Sequence, residues 1–169
     1  MPSSAASHAG QGDSQHDVKI TLTGVTGESQ RRGHENDIDV IKWNWGASTL
    51  RSHSKERVSL QVKDFTFKKM IDVTTPLLFQ AMQQNKLISE VNISIYKSGG
   101  ADPVCFYKLM FKDVLITNID AGEIDDNGHF IETITVNFAE LTMEGTSQAT
   151  KTGRKERTTT FNFRISENR

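Results

Sequence analysis

Few residues of this chain could do chemistry, and their spacing limits what they could do. The most suggestive group is the acidic turn at residues 123–128, EIDDNG. It resembles the start of an EF-hand loop, with Gly128 at the sixth position and Asn127, Asp125 and Glu123 at five, three and one. The twelfth position is Ile134, where such a loop needs a bidentate glutamate, so the stretch reads as a solvated hairpin turn. Asn127-Gly128 at its tip is the favoured hairpin dipeptide. The five histidines, His8, His16, His34, His53 and His129, lie in the N-terminal stretch and in polar loops. No two stand at i,i+3 or i,i+4, so no metal spacing appears. Asp37 and Asp39 share one face of a strand and could pair as acid and base. Nothing in the sequence supplies a partner to push their pKa values apart, which favours a solvated strand entry. Cys105, the single cysteine, sits in the apolar run VCFYKLMF and reads as a small buried hydrophobe. A phosphate-binding loop, a GxSxG elbow and a CxxC pair are absent. No cofactor is expected, and the residues do not favour an enzyme.

The elements that must position these residues are strands. Residues 18–24 (VKITLTG) alternate apolar with polar, the period of a half-buried strand. Residues 37–46 (DIDVIKWNWG) hold both tryptophans, two apart. In one unbroken strand, Ile41, Trp43 and Trp45 share a face, and Lys42 and Asn44 take the other. The first set is expected in the core. Residues 47–57 (ASTLRSHSKER) read as a long polar connection. The run at 58–70 changes apolar parity between Val62 and Phe65, which predicts either a β-bulge near Lys63-Asp64 or a strand that trades one buried face for another. Phe65 and Phe67 are expected core. Thr75 and Pro76 are expected to cap and open a helix, PLLFQAMQQNK, that turns Leu78, Ala81 and Met82 inward. Strands follow at 89–97 and 103–119, the second kinked near Lys112-Asp113. Two more follow at 130–143, again with a parity switch, and at 158–165. The reading is a mainly β, antiparallel barrel or sandwich of seven to eight strands with one flanking helix.

Composition sets the outer bounds. The chain has 169 residues, 36% hydrophobic and 24% charged, with a formal net charge of -1. That fits one domain at residues 17–169, preceded by a Ser/Ala/Gly-rich tail at 1–16 without a signal-peptide h-region. The charge balance gives no reason to expect nucleic acid, and no apolar run is long enough for a membrane span.

Several motifs then line up in order. GVTGES (24–29), His34, IDVIKWNWG (38–46), VSLQVKDFTFKKMIDVTTPLLFQAMQQNK (58–86), KSGG (97–100) and ETITVNFAELT (132–142) together resemble the haemolysin-coregulated protein (Hcp) family. The resemblance spans roughly residues 18–144. It departs at residues 143–146 (MEGT), where the family commonly has an aromatic residue and then Tyr-x-Pro. Members of this family form the tube of the type VI secretion system. The resemblance implies a homo-hexameric ring that stacks into a hollow tube and is expelled by a contractile sheath, with spike and baseplate proteins as partners. It also implies carriage of small effectors in the lumen. The protein would work in the bacterial cytoplasm and then leave through the type VI machine without a signal peptide. The family places the residue between the tryptophans, here Asn44, on the lumen wall, and Lys42 shares its face. It gives the extended loop, here Ser48, Leu50, Arg51, His53, Lys55 and Arg57, a role in contacts between subunits or rings. A phage-like tail-tube subunit is the alternative, and an effector enzyme built on the same scaffold a remoter one.

Overall fold

The computed structural model describes residues 16–50, 59–97, 104–148 and 155–165. Residues 1–15 of the expected tail lie outside them, as do Arg51, His53, Lys55 and Arg57, while His16, expected as the last residue of the tail, begins the first strand. Eleven strand segments and one helix follow in order. They are β1 (His16–Leu22), β2 (Ile38–Asp39), β3 (Lys42–Asn44), β4 (Ala47–Leu50), β5 (Ser59–Val62), β6 (Phe65–Met70), α1 (Thr74–Gln83), β7 (Ile88–Lys97), β8 (Val104–Ile124), β9 (Phe130–Asn137), β10 (Glu140–Gln148) and β11 (Lys155–Arg164). The strands outnumber the expected seven to eight because three runs expected to be continuous, 37–46, 58–70 and 130–143, are broken, and a loop is partly strand.

The main path runs β2-β1-β7-β8-β9-β6-β3, every pair antiparallel. Its two end strands are consecutive pieces of one segment. The Val40 N–H donates to the Val18 carbonyl (3.1 Å), and the next N–H, of Ile41, donates to the Lys68 carbonyl (2.8 Å). The chain therefore leaves one edge of the sheet and joins the other within a single residue, curling the sheet into a barrel-like form. This joint corrects the core assignment of Ile41. Period-two alternation holds only along an unbroken strand. Here Ile38 is buried and Val40 half-buried before the joint, Trp43 and Trp45 are half-buried after it, and Ile41 at the corner is 46% exposed.

Of the two readings of the parity change, the bulge is the one present. Five residues separate Lys42 from Ala47, but six separate their partners, Lys68 and Val62. β3-β4 and β5-β6 are thus one long hairpin with an extra residue at Lys63-Asp64. Ala47–Leu50, expected as the start of a loop, is the strand that carries this hairpin beyond the barrel.

β8 is the spine of the fold. Its first half pairs β7 and β10, and its second half pairs β9. The change of partner falls at Asp113, which has φ +53°, where the sequence predicts a kink. Inward parity shifts there, from Leu109 and Phe111 to Val114 and Ile116. Phe111 packs on Phe65 (ring centroids 5.1 Å) and Phe138 (4.5 Å), so one aromatic run joins both halves of the core. Phe65, Phe67 and Leu78 are fully buried, and Met82 is half-buried against them.

The helix starts two residues earlier than expected, and Asp72 rather than Thr75 ties its first turn. The Asp72 carboxylate accepts from the Thr74 N–H (2.9 Å) and the Thr74 hydroxyl (2.5 Å), while the Thr75 hydroxyl accepts from the Asp72 N–H (3.1 Å). At the other end Asn85 takes the left-handed conformation, φ +48°. The Lys86 N–H donates to the Ala81 carbonyl and the Asn85 N–H to that of Met82, a Schellman ending.

Candidate functional site

The outer face of the barrel wall is the candidate site. In β3, β6, β9 and the second half of β8, alternate residues face the core and the rest face outward. The registers stack the outward residues into two rows. Asn44 lies opposite Thr66, Thr66 opposite Thr135, and Thr135 opposite Asn118. Beside that row run Lys42, Lys68, Thr133 and Asp120. Both rows are wholly polar, one neutral and one mostly charged. The Thr66 and Thr135 hydroxyls are 3.2 Å apart, Lys68 Nζ donates to Glu123 at 2.7 Å, and the Asn118 amide donates to Asp120 at 2.7 Å. Asn44 and Lys42 are both exposed on this wall. Trp43 between them turns the opposite way and stacks between Phe65 (6.1 Å) and Tyr107 (6.2 Å), which fixes the strand from behind. A surface of hydroxyls, amides and a few charges is suited to many weak contacts through water.

The segment from Gly24 to Asp37 serves as a clamp for the joint. The Gly27 N–H donates to the Asn36 carbonyl (2.8 Å), the Ser29 N–H to that of Asp37 (3.1 Å), and Ser29 is buried. His34 Nδ1 lies 2.6 Å from the Asp37 carboxylate, and its ring meets the Tyr96 ring edge-on at 4.9 Å. Asp39 pairs instead with Lys19. The two aspartates have separate partners, so the acid-base pair considered for them does not form. Nor does the acidic turn at residues 123–128 form a site. Asp125 spends its carboxylate on the N–H groups of His129 (2.8 Å) and Asn127 (2.9 Å), and these bonds, that from His129 foremost, hold its pKa below the ordinary value. Among the described residues, no three His, Cys, Asp or Glu side chains come together as a metal site.

Sequence reasoning missed a buried ionic network where the wall meets α1. Lys69 and Glu132 face each other across β6 and β9, 1% and 0% exposed and 2.8 Å apart. Lys69 also bonds Asp72 (2.7 Å), and the Thr75 hydroxyl donates to Glu132 (2.9 Å). Burial pushes the Asp72 carboxyl up, but bonds from Lys69 and from the Thr74 hydroxyl and N–H outweigh it, leaving its pKa below the ordinary value. A carboxyl depressed in the folded state stabilises fully above its unfolded pKa, about 3.9, and loses that contribution as pH falls through the folded value. Melting temperature should therefore fall more steeply below about pH 4 in the native protein than in an Asp72→Asn variant. Parallel curves would remove Asp72 from the network.

Of the other residues singled out, Trp45 is half-buried, Ser48 is exposed on β4, and Leu50 ends β4. None of these, nor Ile41, lies on the polar wall.

The chain matches a family model described as "Type VI secretion system effector, Hcp" over residues 19–144. It is 28% identical over 132 residues to the protein hcp1 of Pseudomonas aeruginosa, covering 76% of this chain and 82% of that one. Its fold is similar to a solved type six secretion system protein (TM-score 0.80, 21% identity, 90% of this chain and 98% of the other). It is also similar to the crystal structure of Hcp1 from Salmonella typhimurium (0.73, 23%, 92% and 98%). A third similar structure is a type VI secretion system effector from Yersinia pestis (0.69, 26%, 88% and 100%).

Proposed function

Because the chain belongs to the Hcp family of type VI secretion proteins, we propose that it is the tube subunit of such a system. On this reading it forms hexameric rings that stack head to tail and carry small effector proteins in the bore. The polar wall carries the argument. A ring subunit needs one sheet face in its own core and the other lining a channel, and a sheet whose outward rows are Asn44–Thr66–Thr135–Asn118 and Lys42–Lys68–Thr133–Asp120 meets that need. Hydroxyls and amides spread over the lumen would hold folded cargo through water without gripping it. Heterologous contacts close into rings when the rotation closes, and ring stacking then builds a filament. The role is mechanical and non-catalytic. Sheath, spike and baseplate proteins are the expected partners, and the protein passes from the bacterial cytoplasm through the machine without a signal peptide.

Size-exclusion chromatography with negative-stain microscopy tests the assembly. Rings are expected, and a monomer at micromolar concentration would defeat the reading. Asn44→Gln tests the lumen assignment by lengthening one side chain of the neutral row. Rings should persist while co-purified effector falls, and undiminished effector would remove Asn44 from the bore.

A further inference from the structure

The charged row of the wall is unevenly balanced. Lys42 and Lys68 stand directly opposite each other on β3 and β6, both on the outward face. Like charges in that relation repel. A single carboxylate serves the pair: Glu123 accepts from Lys68 at 2.7 Å, and both of those side chains are partly open to solvent. Among the described residues Lys42 has no ionic or hydrogen-bond partner, and neither does the side-chain amide of Asn44, the next outward residue of β3.

The other acids of the wall stand too far off to neutralise Lys42. Asp120 lies in the same row three strands over, about 14 Å at the usual strand spacing. It also accepts from the Asn118 amide. Asp64 precedes β6, about 13 Å along extended chain from Lys68, and accepts from the Asn137 amide at 3.0 Å. Both separations exceed the screening length of ~8 Å at physiological salt. The β3–β6 end of the wall therefore carries a local excess of positive charge, opposite in sign to the chain's formal net charge of -1.

The backbone beneath this end is held still. Trp43, between Lys42 and Asn44, stacks on Phe65 and Tyr107 behind the wall. β6 is paired on both sides, by β3 and β9. An ammonium and an amide thus project from a fixed strand, ~6.6 Å apart at their backbones, with nothing in this subunit to engage. Such donors match a carboxylate, which accepts at both oxygens.

We propose that Lys42, with Lys68 beside it and the Asn44 amide one outward position along, is a carboxylate seat that selects cargo presenting an acidic surface of Asp and Glu side chains. The seat rests on the tube reading above and adds to it the charge class of the cargo. A carboxylate set over the two ammonium groups offsets their repulsion and gives Lys42 the partner it lacks. A ring repeats the seat around the bore, so contacts that are weak singly add when one cargo reaches several of them. Each contact is exposed to solvent, so salt weakens it and the cargo is released readily.

The test uses rings of the full chain and two dye-labelled peptides of equal length, poly-glutamate and poly-lysine, with affinity read by fluorescence anisotropy at low and high salt. Rings should bind poly-glutamate the more tightly, although a net charge of -1 per chain would by itself favour poly-lysine, and high salt should weaken that binding. Lys42→Glu should lower the poly-glutamate affinity severalfold and Lys42→Gln by less, with rings intact by negative stain. Lys86→Glu makes the same charge change at an exposed position just past α1 and should leave the affinity unchanged. If rings form and neither Lys42 variant loses poly-glutamate, the seat is wrong and the tube reading stands. Equal losses in Lys42→Glu and Lys86→Glu would mean that binding follows net charge and no seat exists. Tighter binding of poly-lysine would overturn the assigned charge class. If the unaltered protein forms no rings, the tube reading itself fails and the seat falls with it.

Discussion

Replacing Lys69 by Met will cost about 3–5 kcal/mol of folding stability, the usual penalty for removing one partner of a buried ion pair. The cost comes from what is left behind. Glu132 is fully buried, its Oε1 accepts from Lys69 and Thr75, and its Oε2 has no hydrogen-bond partner. Without the ammonium, a carboxylate would remain in the barrel wall with one hydroxyl to hold it, and Asp72 would lose the cation that helps it tie α1. The double variant Lys69→Met/Glu132→Leu should regain most of the loss, because apolar residues of similar volume also remove the stranded charge. Denaturant midpoints at one fixed protein concentration read both, since assembly shifts apparent stability by mass action. A loss under about 1 kcal/mol in the single variant would show that the pair is solvated and the network ornamental.

Gly27→Ala should cost about 3 kcal/mol, the upper part of the range for overpacking, because the added methyl has nowhere to go. A Cβ at Gly27 would lie inside contact distance of the Asp37 carbonyl oxygen and carbon and the Ile38 nitrogen, all backbone. Backbone cannot swing aside as the end of a side chain can, and Ile38 is the first residue of β2. Relief would have to come from the joint itself. Gly33→Ala is the control. A Cβ there meets nothing within 4 Å, but φ is +83°, so its penalty is conformational strain alone, about 1 kcal/mol. Equal losses in the two variants would refute close approach as the reason for glycine at position 27.

The fold was legible wherever alternation was uninterrupted or its interruption was local. The parity changes at Lys63-Asp64 and between Phe138 and Leu141 are visible in the residues, and each falls where one strand segment ends and the next begins. The joint at Val40-Ile41 left no such mark, because Ile41 is as apolar as a core residue and nothing nearby is a glycine or proline. It is defined by which strands the two halves pair with, and pairing with partners 18 to 26 residues away is not a local property. The same holds for Lys69 and Glu132. Each continues the inward parity of its strand, after Phe65 and Phe67 in one case and before Ile134 and Val136 in the other. Each taken singly reads as the strand's solvated end. Only the register sets them opposite each other and shows two charges of opposite sign closing a core stripe. On the wall, the outward direction of Asn44 was legible from Trp43 and Trp45, whereas its row-mates Thr66, Thr135 and Asn118 come from three other strands.

The joint also bears on how a subunit would yield under load. Where two strand edges meet through hydrogen bonds, a pulling force can peel them apart one bond at a time. At Val40-Ile41 the two edges are the same polypeptide, so opening the wall there means rupturing a covalent backbone. Tension must find a different line of failure. The one with the fewest residue pairs is the β1–β2 ladder beside the joint, two against the nine of β10–β11. A subunit pulled across its strands would part β2 from β1 first and keep β3, β6, β9 and β8 together.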